Sequence, residues 1–138
     1  MICIIRISGK VKVDRDIKET LDRLRLGKKY ACVVINPNKE QIGMIKKLKD
    51  FIAFGNIKNE VFERLINVRG QKIDKKKKID SKKIIEDLEK GKKYEELNLK
   101  PFFRLHPPRG GINSKIHFPK GVLGNNQEKI NELVGRML

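Results

Sequence analysis

The first 57 residues alternate between two apolar patterns, and this alternation restricts the fold more than any other feature of the chain. Short runs rich in β-branched residues occupy 2–8, 30–35 and 51–57, and such runs favour strands with a buried face. The segments between them, 15–26 and 38–50, place apolar residues three or four apart, as in an amphipathic helix. These residues therefore predict the element order β-α-β-α-β.

The helix predicted over 38–50 has its own start signal and one unfavourable residue. Asn38 and Gln41 have the spacing of a capping box, in which each side chain bonds the other residue's backbone N–H. Gly43 lies inside the helix, where glycine costs about 1 kcal/mol relative to alanine. We therefore expect either close packing or the close approach of a ligand backbone at Gly43.

Residues 58–138 have a looser pattern, which predicts helices joined by longer connections. Helical spacing follows Asn59 as far as about Gly70 and recurs near 84–91, and a last helix is predicted from Asn125. The chain therefore divides into a core, 1–57, and an extension, 58–138, with basic loops and a C-terminal helix.

The net charge indicates the class of partner. Lys and Arg number 33 against 17 Asp and Glu, which gives +16. The excess positive charges repel one another when the chain becomes compact. Binding of dispersed cations to nucleic acid is favourable because it releases the counterions of the phosphates. A membrane is disfavoured because the chain has no apolar run of about 20 residues, no basic amphipathic helix with a Trp/Phe/Leu face and no signal-peptide pattern. Nucleic acid is the expected partner.

The stretch 97–127 contains no acidic residue. Within it, the run Pro107–Gly111 excludes a helix or a central strand. Paired glycines allow close backbone approach, and arginine can hold a phosphate in bidentate fashion. An ordinary surface loop with basic residues by chance is the alternative. The contacts predicted in this stretch are Arg104, Arg109, Gly110, Gly111, Lys115, His117 and Lys120.

Further basic residues are candidates for contacts with phosphate. Four consecutive lysines, Lys75, Lys76, Lys77 and Lys78, favour an extended loop that becomes ordered on an anionic partner, although a solvated loop explains them as well. Cations near the C-terminal end of a helix also complement its dipole, so part of this pattern is structural. The candidates at or after predicted helices are Arg25, Lys28, Lys29, Lys47 and Arg69.

The residue types that carry catalysis or bind metals are sparse. Cys3 and Cys32 are too few for a disulfide framework or a zinc site; we expect both to be buried, as small hydrophobes in a cytoplasmic protein. His106 and His117 match no zinc spacing and have no nucleophile or acid nearby in sequence, and no glycine-rich phosphate loop is present. The sequence therefore predicts no enzyme activity, metal, cofactor or small-molecule substrate.

The order of these elements and several short motifs resemble one family. In the core, the resemblance rests on Thr20-Leu21, Asn36-Pro37 and Gly43-Met44-Ile45. In the extension, it rests on Arg69-Gly70, on the Pro107–Gly111 run and on His117-Phe118. The chain resembles the large-subunit ribosomal proteins called L-thirty in bacteria and archaea and L-seven in eukaryotes. It begins directly at the first strand, without the basic arm of eukaryotic members, so it resembles the archaeal type.

The resemblance implies a fold and a role. It implies an α+β fold, with a three-stranded antiparallel sheet and two helices on one face, as in ferredoxin-like proteins. It implies binding of large-subunit ribosomal RNA, including possible contact with 5S RNA, beside neighbouring ribosomal proteins and without enzymatic activity. Carried over by position, it implies RNA contacts at Arg25, Lys28, Lys47, Arg104, Arg109, Lys115 and His117, with close backbone approach at Gly43, Gly110 and Gly111.

The sequence therefore predicts a structural constituent of the large ribosomal subunit that holds RNA by dispersed phosphate contacts. An assembly factor, or another RNA- or DNA-binding protein outside the ribosome, is the alternative. A DNA-binding protein would show an element that enters a groove, and an enzyme would show a cleft with perturbed titratable groups.

Overall fold

The computed structural model describes residues 1–7, 14–74, 76–78, 80–107 and 123–138. The strands are β1 (Ile2–Arg6), β2 (Ala31–Ile35), β3 (Ile52–Asn56), β4 (Phe103–Arg104) and β5 (Gly124–Asn125). The helices are α1 (Arg15–Arg23), α2 (Lys39–Lys47), α3 (Asn59–Arg69), α4 (Ser81–Glu89) and α5 (Ile130–Met137). Turns of 3₁₀ helix lie at Tyr94–Leu97 and Gln127–Lys129. The first five elements confirm the predicted order β-α-β-α-β and the α+β class.

The sheet is wider than predicted. Its strand order is β4-β2-β1-β3-β5, and β1 pairs antiparallel with both β2 and β3, which confirms the three antiparallel strands of the core. The extension adds β4 antiparallel to β2 at one edge and β5 parallel to β3 at the other. Each added strand has two residues, which is too short to produce a recognisable alternation in the sequence.

The first face of the sheet is covered by α1 and α2, as predicted for the core. These helices are amphipathic, and their apolar stripes meet the side chains of every second residue of β1, β2 and β3. The capping box predicted at the start of α2 is present: the Asn38 side chain accepts from the Gln41 backbone at 2.9 Å, and the Gln41 side chain accepts from the Asn38 backbone at 3.1 Å. The main residues of this layer are Ile4, Leu21, Leu24, Val33, Ile45, Leu48 and Ile52.

The second face of the sheet is covered by the extension. Phe103 is fully buried there, and its ring meets Phe62 and Tyr94 edge to face. Cys3 and Cys32 face this layer as free thiols with their sulfur atoms 3.3 Å apart. Both residues are buried, which confirms the prediction. The helices contribute Phe62, Leu65, Ile66, Ile84, Ile85, Leu88, Ile130, Leu133, Val134 and Met137.

Gly55 marks the closest approach of the extension to the core. A Cβ atom at this position would lie 2.2 Å from the backbone oxygen of Gln127 and 3.0 Å from Cβ of Ile130. Asn131 secures the same region, because its side chain accepts from the backbone N–H of Lys58 at 2.8 Å and donates to the carbonyl of Asn56 at 3.2 Å.

The predicted end of the first helix and the predicted start of the last helix are wrong. The first helix ends at Arg23 and not near residue 26, because Arg25 adopts φ +61°. The last helix begins at Ile130 and not at Asn125. Asn125 belongs instead to β5, where its side chain accepts from the backbone N–H of Gln127 at 2.9 Å. Local hydrogen bonding by such a polar side chain competes with helix formation.

Candidate nucleic-acid interface

Several predicted RNA-binding residues lie at one end of the sheet, where β1 finishes and β2 and β3 begin. The loops entering β2 and β3 both bond the end of β1, through Tyr30 N–H to the Arg6 carbonyl at 2.7 Å and Ile7 N–H to the Phe51 carbonyl at 3.1 Å. At the neighbouring edge, β4 pairs Arg104 with Ala31, the first residue of β2. We call this region the basic end; its predicted contacts are Arg25, Lys28, Lys29, Lys47 and Arg104, all exposed.

The loop between α1 and β2, residues 24–30, presents three of these cations. Arg25 has φ +61° and Tyr30 has φ +66°, a backbone region that non-glycine residues rarely adopt because of steric cost. Arg25 N–H donates to the Asp22 carbonyl at 3.0 Å, and Leu26 N–H donates to the Leu21 carbonyl at 2.8 Å. The loop therefore holds an exposed arginine in a conformation that glycine would adopt more easily.

Arg6 supports this loop from beneath, a role that the sequence reasoning missed. It follows Ile2 and Ile4 in alternation on β1, so its side chain enters the layer under α1, where it is 1% exposed. Its guanidinium donates to the Leu26 carbonyl at 2.8 Å. Burial lowers the pKa of Arg6, and the nearby Asp22 carboxylate opposes that shift. The available signal was an arginine within a run of β-branched residues.

Three predicted cations come together around one cavity. Arg25, Lys28 and Arg104 line an open cavity of about 280 Å³ between the loop and β4. Phe102 also lines it, with the Arg104 guanidinium 5.6 Å from the ring centroid. Arg25 and Arg104 are far apart in sequence, so their meeting depends on the pairing of β4 with β2.

The remaining cations of the core lie near this region. The Lys29 ammonium is 5.2 Å from the centre of the Tyr30 ring. Lys47 is the last residue of α2 and is exposed. Gly43 is exposed on the same helix, and a Cβ there would meet nothing within 4 Å, so packing within the described chain does not require this glycine. Close packing, the first explanation offered for Gly43, is therefore wrong within the described chain. The close approach of a ligand backbone stays a prediction.

A second group of predicted contacts lies away from the basic end, on and after α3. Arg69 is half-buried at the end of α3, with its Nε buried. Lys76, Lys77 and Lys78 are exposed, and Lys77 N–H closes a turn on the Asp74 carbonyl at 3.2 Å. Around this turn, the Asp74 backbone exchanges hydrogen bonds with the Asn98 side chain at 2.7 and 3.0 Å.

Other predicted contacts fall outside the described residues: Lys75, Arg109, Gly110, Gly111, Lys115, His117 and Lys120. His106 is described and has a packing role. Its backbone N–H donates to the Met137 carbonyl at 3.1 Å, and its ring Nε2 bonds the Leu138 carbonyl oxygen. The ring therefore joins the end of β4 to the C-terminal helix.

The titratable groups buried in the second layer are held in neutral form. The hydrogen bond to Cys3 and burial raise the pKa of the Cys32 thiol. Burial raises the pKa of Tyr94, whose hydroxyl donates to the Val34 carbonyl. Within the described ranges, no three His, Cys, Asp or Glu side chains are grouped to hold a metal ion, and no helix there is long and apolar enough to cross a bilayer.

The fold and surface define a small α+β protein with a cationic end suited to a polyanion. The family model of Ribosomal protein L30p/L7e matches residues 2–52. Large ribosomal subunit protein uL30 of Archaeoglobus fulgidus is 42% identical, over 99% of this chain and 99% of that protein. The uL30 proteins of Ignicoccus hospitalis and Methanococcus vannielii are 37% and 35% identical, each over 98% of this chain and over 96% and 97% of their own lengths. The chain belongs to the ribosomal protein L30p/L7e family.

Proposed function

We propose that this protein is a structural, non-enzymatic constituent of the large ribosomal subunit, in the cytoplasm, and that it binds large-subunit ribosomal RNA. The observation that carries the proposal is the similarity to archaeal uL30 proteins over nearly the whole chain. The convergence of Arg25, Lys28 and Arg104 at one cavity supports RNA as the direct partner.

Phosphate contacts dominate the binding that we propose. Packing on both faces of the sheet gives the cations of the basic end a rigid base. The lysines of the turn after α3, Lys76, Lys77 and Lys78, offer a second cationic surface on the side of the second layer. Cations that contact phosphates of several RNA helices lower the repulsion between those helices, while RNA shape supplies the selectivity. The family resemblance supports a position near the 5S RNA, beside neighbouring ribosomal proteins.

Sedimentation tests the proposed placement. A cell lysate is run on a sucrose gradient at about 0.5 M monovalent salt, which removes proteins held only by weak, dispersed charge. We expect the protein to comigrate with the large subunit. Recovery at the top of the gradient would contradict the proposal and favour an assembly factor or a nucleic-acid-binding protein outside the ribosome.

A charge-matched pair of variants tests the basic end. The triple substitution Arg25→Ala, Lys28→Ala and Arg104→Ala removes the cations around the cavity. The control, Lys82→Ala, Lys83→Ala and Lys90→Ala, removes the same charge from the exposed side of α4 and the residue after it. Each lost phosphate contact lowers the slope of log K against log[salt] by about one. We expect a slope change of about two to three for the first triple and little change for the control; equal effects would show that only net charge matters.

A further inference from the structure

We propose that the cavity between the α1–β2 loop and β4 holds one unpaired base of the bound RNA, with the flanking phosphates at its rim. This inference rests on the proposed function and specifies it, because it names a nucleotide site within a surface otherwise expected to contact only the RNA backbone.

The topology explains why a cavity exists at this position. Two helices cover the first face over the three core strands, and β4 lies at the edge beyond them. Phe103 of β4 points into the second layer, so its neighbours Phe102 and Arg104 lie on the first face by strand alternation. Phe102 packs at the margin of the α1/α2 layer and remains half-buried. An aromatic surface is thus left open beside α1.

The chemistry of the lining favours a base over a phosphate in the interior. Phe102 and Ala31 give the cavity apolar surface, and Asp22 contributes a carboxylate. A carboxylate repels phosphate but accepts hydrogen bonds from the amino and imino groups of bases. Arg25 and Lys28 can neutralise the phosphates on either side of an inserted nucleotide, while the Arg104 guanidinium, 5.6 Å from the centre of the Phe102 ring, offers a second flat surface.

The cavity wall is held in place before any RNA binds. Arg6 bonds the Leu26 carbonyl beneath the loop, and Arg25 keeps its positive φ. The bonds from Arg25 N–H to the Asp22 carbonyl and from Leu26 N–H to the Leu21 carbonyl hold this conformation at the end of α1. A paired base in an A-form helix cannot enter such a cavity, so the site selects a bulged or looped nucleotide.

The test compares variants of Phe102 on protein-free large-subunit RNA from the source organism. Phe102→Leu keeps an apolar side chain and removes the aromatic ring, whereas Phe102→Tyr keeps the ring. Phe54→Leu is the matched control, because Phe54 is also half-buried at the margin of the same layer but lies within β3, three strand spacings or roughly 14 Å from β4. Thermal melting of all four proteins verifies that they are folded.

Salt dependence separates stacking from charge. Base stacking on an aromatic ring is independent of counterion release, so Phe102→Leu should weaken binding by about tenfold at every salt concentration and leave the salt slope unchanged. Phe102→Tyr and Phe54→Leu should bind like the wild type. Binding by Phe102→Leu equal to that of Phe54→Leu, or a slope reduced by about one, would overturn the base site and leave phosphate contacts alone.

Crosslinking identifies the contact directly. Ultraviolet irradiation of the wild-type complex, followed by nuclease and trypsin digestion, should give a nucleotide adduct on the peptide that ends at Arg104, and Phe102→Leu should lose it. RNA binding without this adduct would refute the base site while leaving the proposed function intact. Failure of the wild-type protein to bind the RNA at all would refute both.

Discussion

Replacement of Arg6 by methionine tests how the folded chain holds its basic end. The substitution keeps the length and much of the volume of the side chain but removes the guanidinium, which is 1% exposed and donates to the Leu26 carbonyl at 2.8 Å. The Leu26 carbonyl loses this donor, and the attraction between Arg6 and Asp22 disappears.

The expected loss of stability follows from three contributions. A hydrogen bond from a charged donor contributes about 1.5–3 kcal/mol, and an unsatisfied buried carbonyl costs about 1–3 kcal/mol. Removal of the buried charge also relieves its desolvation penalty, which partly offsets the loss. Asp22 is exposed and recovers its hydration, so the larger cost of a stranded buried charge does not apply. We expect a net loss of about 2 kcal/mol, which for a chain of this length lowers Tm by about 6 °C.

Thermal unfolding followed by circular dichroism measures this change, with Arg64→Met as the control. Arg64 is exposed on α3, and surface substitutions usually change stability by less than about 0.5 kcal/mol. Hydrogen exchange at the Tyr30 amide, which bonds the Arg6 carbonyl, should accelerate in Arg6→Met alone. Equal melting temperatures for the two variants, with unchanged exchange at Tyr30, would refute the role assigned to Arg6.

Four further outcomes are expected. Gly43→Ala should raise the free energy of unfolding by up to about 1 kcal/mol, since the site is exposed and helical, and should weaken RNA binding if a backbone approaches there; filter binding and urea unfolding measure the two effects. Gly55→Ala should destabilise by about 1–3 kcal/mol, because its Cβ would overlap the extension, whereas equal stability would contradict the close approach. Folding raises the pKa values of the Cys32 thiol and the Tyr94 hydroxyl above their ordinary values of 9.0 and 10.0. The stability that depends on their neutral forms should therefore be fully present below about pH 9 and decline as pH rises through 9 to 11; a flat Tm over that range would contradict this dependence. The isolated segment 1–57 should fail to melt cooperatively by calorimetry, because one apolar face of its sheet would be exposed.

The sequence predicted the core because its signals are local. The β-branched runs and the capping box at Asn38 and Gln41 act within a few residues, and the structure has both. The two edge strands could not be predicted, because a pair of residues carries no periodicity and β4 depends on pairing with a distant strand. The predicted start of α5 is wrong for a related reason. Asn125 is a good helix-capping residue by type, but it pairs with β3 as part of the edge strand β5.

The sequence predicted which residues could contact RNA at the candidate site, but it did not predict how they are arranged in space. Arg25, Lys28 and Arg104 were candidates from charge and from the family resemblance, and only the fold shows that they surround one cavity with Phe102. Aromatic residues make up only 6% of the chain, which argues against stacking as the main binding mode. A single half-buried ring at the right edge is compatible with that expectation, because it adds one base contact to many phosphate contacts.

Three residues on the α1/α2 side of the molecule depart from the backbone preferences of their residue types. Arg25 and Tyr30 adopt positive φ values, each of which costs about 1–3 kcal/mol for a side-chain-bearing residue. Gly43 weakens an exposed helix although nothing within the described chain occupies the space above it. Arg25 and Tyr30 recover part of this cost, because their backbone N–H groups bond the carbonyls of Asp22 and Arg6. Gly43 has no such compensation within the described chain, and local departures of this kind are expected at functional sites. Gly43, one turn before Lys47 on α2, is therefore an argument for an RNA-facing surface that does not depend on charge.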